Sequence, residues 1–170
     1  MFLSHLQEFL EREVAGHIKL RRPSDDDNAL QHELISPTVS IGWPQAVLAG
    51  TEVRKRVPGI IIGFAGDVTD DGTTQLAPIE LVLIVYSSGT IEHDASLSVD
   101  ATGYQDLLNL MDLSVRAIRN ADDLGKNMAL AEPTLRYWPE NEQYYDYWIG
   151  HIELTLEMAP GPRAAEGLLI

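Results

Sequence analysis

From Trp148 to Met158 the chain alternates without a slip. Trp148, Gly150, Ile152, Leu154, Leu156 and Met158 fall on one side, and His151, Glu153, Thr155 and Glu157 on the other. A side-chain period of two belongs to a strand with one dry face and one wet face. Such a strand needs neighbours to pair with and a cover for its apolar side. The cover is written upstream, where Tyr104, Leu107, Leu108, Met111, Val115 and Ile118 form a stripe at helical spacing. Leu110, Leu113 and Ala117 widen that stripe, which predicts a helix seated deeply on a sheet. Asp100 or Thr102 is placed to cap its start, and it should end around Asn120.

A second amphipathic helix is expected at the start, where Phe2, Leu3, Leu6, Phe9, Leu10 and Val14 share a face and the pattern stops near Gly16. Pro23 to Asn28, with Asp25, Asp26 and Asp27, reads as a loop. Thr38 to Trp43 and Val57 to Ala65 read as strands, and Asp67 to Thr74 as a turn. Between Pro78 and Tyr86, Ile79, Leu81, Leu83 and Val85 alternate with Glu80, Val82, Ile84 and Tyr86. Both faces are mostly apolar, which predicts a central strand covered on each side. Ser87 to Val99 reads as a long polar connection, Met128 to Tyr137 as a short strand, and Tyr137 to Trp148 as an aromatic-rich connection. Strands arrive in adjacent pairs rather than alternating with helices. The expectation is one α+β domain over residues 1–160, with an antiparallel or mixed sheet, an N-terminal helix and a long central helix on one face, and a loose tail at 161–170.

Composition narrows the function classes. Cysteine is absent, so thiolate metal sites, disulfides and cysteine nucleophiles are excluded. Nothing approaches the roughly 18-residue apolar run of a membrane span. The first residues are apolar on one face only and carry Glu8, Glu11 and Glu13, unlike a signal peptide. A formal charge of -14 makes phosphate backbones and anionic membranes poor partners.

The candidate chemistry is thin. Gly59, Gly63 and Gly66 fit neither dinucleotide fingerprint nor phosphate loop. Asp67 to Gly72 opens like a calcium loop, but its closing position is Pro78 instead of Glu, so a hairpin turn accounts for it better. His5, His17, His32, His93 and His151 show no metal-ligand spacing, and His93-Asp94 lacks an activated serine motif. Asp122, Asp123, Glu140 and Glu142 sit in polar connections. These residues give no reason to expect an enzyme, a cofactor or a bound metal, and the histidines read as solvated.

The stronger signals are surfaces. Tyr137, Trp138, Tyr144, Tyr145, Tyr147 and Trp148 gather aromatic area of the kind enriched in interfaces, or they close the end of the core. Half of the twelve basic residues fall in two clusters, Lys19-Arg21-Arg22 and Arg54-Lys55-Arg56. They are either solvated or placed to meet an acidic neighbour, such as another copy of the chain.

The order of Val57-Pro58-Gly59-Ile60-Ile61-Ile62, the polar turn, Ile79 to Tyr86, Gly103-Tyr104-Gln105-Asp106-Leu107, Trp138-Pro139, Tyr145, Trp148 and Gly150 resembles phage tail terminator (tail completion) proteins. The likeness covers roughly Val57 to Met158 and, more loosely, the first helix. It implies a catalytically inert phage or prophage protein that closes a ring, commonly hexameric, on the last ring of the tail tube. It also implies a tail tube protein and a head-tail connector protein as partners, with no membrane and no sequence-specific nucleic acid. The location it implies is the virion tail, and the host cytoplasm during assembly. Ser87 to Val99 and Pro23 to Asn28 match no motif of that family. The contact residues expected here, Arg54, Lys55, Arg56, Tyr137, Trp138, Tyr144, Tyr145 and Tyr147, come from the residues themselves, not from the likeness. The competing expectation is an acidic binding module, of inhibitor or DNA-mimic type, for a basic protein.

Overall fold

The computed structural model describes residues 2–24, 32–42, 54–91, 97–98, 101–125, 127–132, 134–143 and 146–160. The tail at 161–170 lies outside them. Helix α1 spans Phe2–Glu13 and passes into a single 3-10 turn at Ala15–His17. Leu3, Leu6, Phe9 and Leu10 are its buried residues, as the helical spacing requires. Helix α2 spans Thr102–Asn120 and buries Leu107, Leu110, Met111, Val115 and Ile118. It begins at Thr102, within the expected stretch, but the cap expected at Asp100 or Thr102 is Ala101, which makes no side-chain capping bond.

The main sheet has the order β10-β11-β6-β4-β3, with β3 at Thr38–Ile41, β4 at Gly59–Phe64, β6 at Gln75–Ser87, β10 at Arg136–Pro139 and β11 at Asp146–Met158. Two short strands lengthen it at one end: β5 (Thr69–Asp70) pairs with β6, and β9 (Ala129–Leu130) pairs with β11. Two minor ladders stand apart, β1 (Leu20–Arg21) with β2 (Leu34–Ile35) and β7 (Thr90–Ile91) with β8 (Leu97–Ser98). The main sheet is mixed, because β3 runs parallel to β4 while the other pairs are antiparallel. The chain is an α+β fold with both helices on one side of a mostly antiparallel sheet.

Alternation sorts the side chains as expected. Ile60, Ile62, Ile79, Leu81, Leu83, Ile152, Leu154 and Leu156 face the helices and join one core with Leu6, Leu10, Leu107 and Leu110. Val57, Ile61, Val82 and Ile84 form a second buried cluster on the far side, with Tyr86, Tyr147 and Ile149 packed against it. β6 is therefore apolar on both faces because both are covered. α2 lies close on β11 because two glycines permit it. A β-carbon on Gly103 would stand 2.1 Å from Trp148 Nε1, and one on Gly150 would stand 2.7 Å from Met111 Sδ.

Three expectations are corrected. Tyr137-Trp138-Pro139 is not connection but edge strand β10, in register with His151 and Gly150 of β11. The single strand expected at 128–137 is two pieces, β9 and β10, separated on the same side of β11. Ser87 to Val99 is not wholly irregular, since it carries the β7–β8 ladder. Among the described residues no helix is long and apolar enough to cross a membrane.

Candidate functional site

Of the expected contact residues, Tyr144 and Tyr145 lie outside the described residues. The others do not form a single cluster. Tyr137 is 49% exposed and pairs with Ile152, so it points toward the helix side of the sheet edge. Trp138 pairs with His151 on the opposite face and stacks on its imidazole, with centroids 5.3 Å apart and planes 13° apart. Tyr147 is partly buried, edge-on to Tyr86 at 5.7 Å. Trp148 turns inward and meets Tyr104 of α2 at 6.0 Å. Strand alternation splits the aromatic run between two faces.

His151 is the residue that the sequence reading misplaced. It was expected to be solvated. Instead its Nδ1 lies 2.8 Å from Glu80 Oε1, and its Nε2 lies 2.7 Å from Glu140 Oε1. Both contacts are N–H donations to carboxylates when the ring is an imidazolium. β6 supplies Glu80 through cross-strand adjacency, and Glu140 follows β10 where its N–H donates to Ile149 O. Arg136 extends the network: it pairs with Glu153 at 3.3 Å and lies 5.7 Å from the Trp138 ring centroid. The outer face of β10 and β11 is thus a ladder of charge and aromatic surface in which Trp138 is held from below by a doubly tethered ring. The one sequence signal for it was Glu80, the lone acid in an otherwise apolar strand.

Arg54 and Lys55 are exposed, whereas Arg56 is half-buried and donates to Gly42 O at 3.2 Å and to Ser40 Oγ at 3.5 Å. Arg54 is near enough to Tyr86 to act on its hydroxyl electrostatically, and burial, the larger effect, pushes the Tyr86 phenol up. Arg21 donates to the buried Ser87 Oγ at 2.7 Å. The two basic clusters, more than thirty residues apart, thus each place an arginine at the C-terminal end of β6, Arg21 on Ser87 and Arg54 near Tyr86.

The opposite end of β6 is acidic. There Leu76, 36% exposed, lies in a recess of about 440 Å³ whose other lining includes Asp70, Asp71, Glu132 and Glu157. The turn before it is built by side chains on backbone: Gly72 N–H donates to Asp70 Oδ1, and the N–H groups of Thr73 and Thr74 donate to Asp71 Oδ1. The Thr73 hydroxyl also donates to Asp71 Oδ1 at 2.6 Å and is the largest cause holding that carboxyl down at about 2. Those bonds explain the Asp-rich hexapeptide as turn chemistry. A carboxyl lowered from 3.8 to about 2 supports the turn above its ordinary value and loses that support as pH falls through about 2. Amide resonances of Thr73 and Thr74 should move together with one acid midpoint near that value; a midpoint at the ordinary value would contradict the assignment.

The sheet edges are poorly suited to recruiting further strands. β3 is four residues long, and Gln7 of α1 donates to its outward Val39 O at 2.9 Å. β10 is equally short and ends at Pro139, which has no N–H. Among the described residues, contact therefore falls to the ends of β6 and the outer face of β10 and β11 rather than to the sheet edges. The chain matches no family model and no curated protein.

Proposed function

We propose that this chain is a structural protein of phage tail assembly, of the tail terminator type: it closes a ring on the tail tube, stops polymerisation and presents its other face to the head. The observation that carries this reading is the junction of α2 and β11. Gly103, Trp148 and Gly150, three of the residues that carry the family likeness, meet there: the space a β-carbon would take on Gly103 is filled by the Trp148 indole, and that on Gly150 by Met111. Residues scattered over the sequence thus do one joint task, setting how closely the central helix lies on the last strand. Such a task ties the likeness to a fold rather than to composition.

The mechanism is geometric. A cyclic ring uses two different surfaces of each subunit, and the sheet offers distinct ends and faces while its edges are blunted. One ring face would complement the last tube ring; the other would lack the surface a further tube ring requires. Polymerising tail-tube protein with and without this chain tests the reading. The expected result is tubes of arrested length carrying a terminal ring in negative stain. Tubes that elongate unchanged and carry no added density would sink it.

A further inference from the structure

The outer face of the sheet is covered at one end and open at the other. Along β6, Val82 and Ile84 are buried at 2% and 6%, whereas Leu76, on the same side of the strand, is 36% exposed. Leu76 floors the recess of about 440 Å³, and a second recess of about 330 Å³ adjoins it, with Glu132 lining both. Together they form a trough along β11 from Glu157 to Glu153, past Thr155 and the Pro78 opposite it. Outward side chains on that line stand about 6.8 Å apart, the spacing of alternate residues in an extended chain. An apolar floor with a carboxylate rim suits a long basic side chain, whose methylene stem packs on the floor while its charged head meets the rim.

The rim is not neutralised within the subunit. Among the described residues no lysine or arginine pairs with Asp70, Asp71, Glu132 or Glu157, and the two aspartates accept only from N–H and hydroxyl groups of their own turn. A second copy is a poor source of the missing charge. Arg12, Arg22, Arg116 and Arg136 each pair with a carboxylate of their own subunit, and Lys19, Arg21 and Arg56 are held on hydroxyl or carbonyl oxygens. Lys55 also interacts within its own subunit. Two copies at -14 each repel one another besides. We propose that the trough takes an extended, lysine- or arginine-rich segment of a different protein, laid along β11 with a basic side chain in the Leu76 recess. Arg136 already answers Glu153 in the adjoining recess, so that recess suits an uncharged residue of the same segment. Side chains alone make the contact, and it needs no free strand edge. It does not rest on the tail reading.

Two quadruple variants of equal charge test it. One neutralises the whole rim with Asp70→Asn, Asp71→Asn, Glu132→Gln and Glu157→Gln, whose amides keep an oxygen to accept the turn's N–H groups. The other removes four carboxylates on and after the helices with Glu8→Gln, Glu11→Gln, Asp112→Asn and Asp122→Asn. All eight side chains are exposed, so both variants should keep the wild-type circular dichroism. The probe is a fluorescein-labelled decapeptide with lysine at alternate positions of its first half and threonine elsewhere, read by anisotropy at low ionic strength. The wild type should bind it, release it as salt is raised, and ignore the same peptide with its lysines acetylated. The rim variant should bind at least about tenfold more weakly, and the helix-side variant within about threefold of wild type. Leu76→Ser should weaken binding about threefold without changing its salt dependence, because the floor carries no charge. Equal losses in the two quadruple variants would mean that the probe senses only the field of an acidic protein, and would overturn the proposal. A wild type that binds the acetylated peptide equally well, or neither peptide, overturns it too. Should the rim variant fail to fold, Glu132→Gln with Glu157→Gln leaves the turn untouched and makes the same comparison against Glu8→Gln with Glu11→Gln. Self-association of the wild type in sedimentation velocity at low salt, abolished by the rim variant, would give the trough to a second copy and overturn the assignment to a different protein.

Discussion

Gly103→Val is expected to lower stability by about 3 kcal/mol, the upper range for forcing extra atoms into a packed interior. The β-carbon alone would stand 2.1 Å from Trp148 Nε1 and 2.3 Å from its Cδ1. An indole cannot yield by bending its tip. Either the ring leaves its place, where Nε1 donates to Ser87 O at 3.4 Å, or the first turn of α2 lifts from β11. At roughly 2–4 °C per kcal/mol for a chain of this size, the melting midpoint should fall by about 10 °C. Urea unfolding followed by near-ultraviolet circular dichroism checks this, because Trp148 would report its own displacement. A variant as stable as wild type would show that the helix start is not held where it is described, and the observation behind the tail reading would go with it.

His151→Ala is expected to cost about 2 kcal/mol, because it leaves the Glu80 and Glu140 carboxylates facing one another without the ring that separates them. It also removes the surface on which Trp138 stacks. Loss of the tether and loss of the stack can be separated. His151→Gln keeps hydrogen-bonding groups between the acids and should recover part of the stability, while Trp138 loses its aromatic partner in both variants. Denaturant titration read by circular dichroism gives the first effect, and tryptophan emission in native buffer gives the second. If His151→Ala is neutral in both, the ring is an onlooker on the sheet surface.

The parts of this fold that the sequence reading located are those where a period is long enough to be unambiguous. The eleven residues from Trp148 to Met158 and the stripe from Tyr104 to Ile118 each repeat a single instruction several times, and both stand where expected. β10 was hidden for a physical reason. Proline argues against a strand only where its missing N–H would be needed, and at the edge of a sheet it is not. The His151 tether was hidden because its partners are 71 and 11 residues away in sequence. No local spacing records a cross-strand neighbour until the register is known. The same holds for Arg21 and Arg54, which reach one end of β6 only because β1 and the segment before β4 are folded there. Periodicity gave the elements, and topology decided which charges meet.

The pairing of β6 with β11 runs through thirteen consecutive residue pairs, from Asp146 opposite Ser87 to Met158 opposite Gln75. At about 3.4 Å per residue this is a beam some 40 Å long, fixed by main-chain bonds instead of by side-chain fit. It joins the basic end of the molecule to the acidic end. Substitutions along it can change what each end grips, but they leave the span between the grips nearly constant. The beam acts as a ruler: in any assembly built end to end, the repeat distance is written in the count of paired residues, and only matched insertions in both strands would reset it.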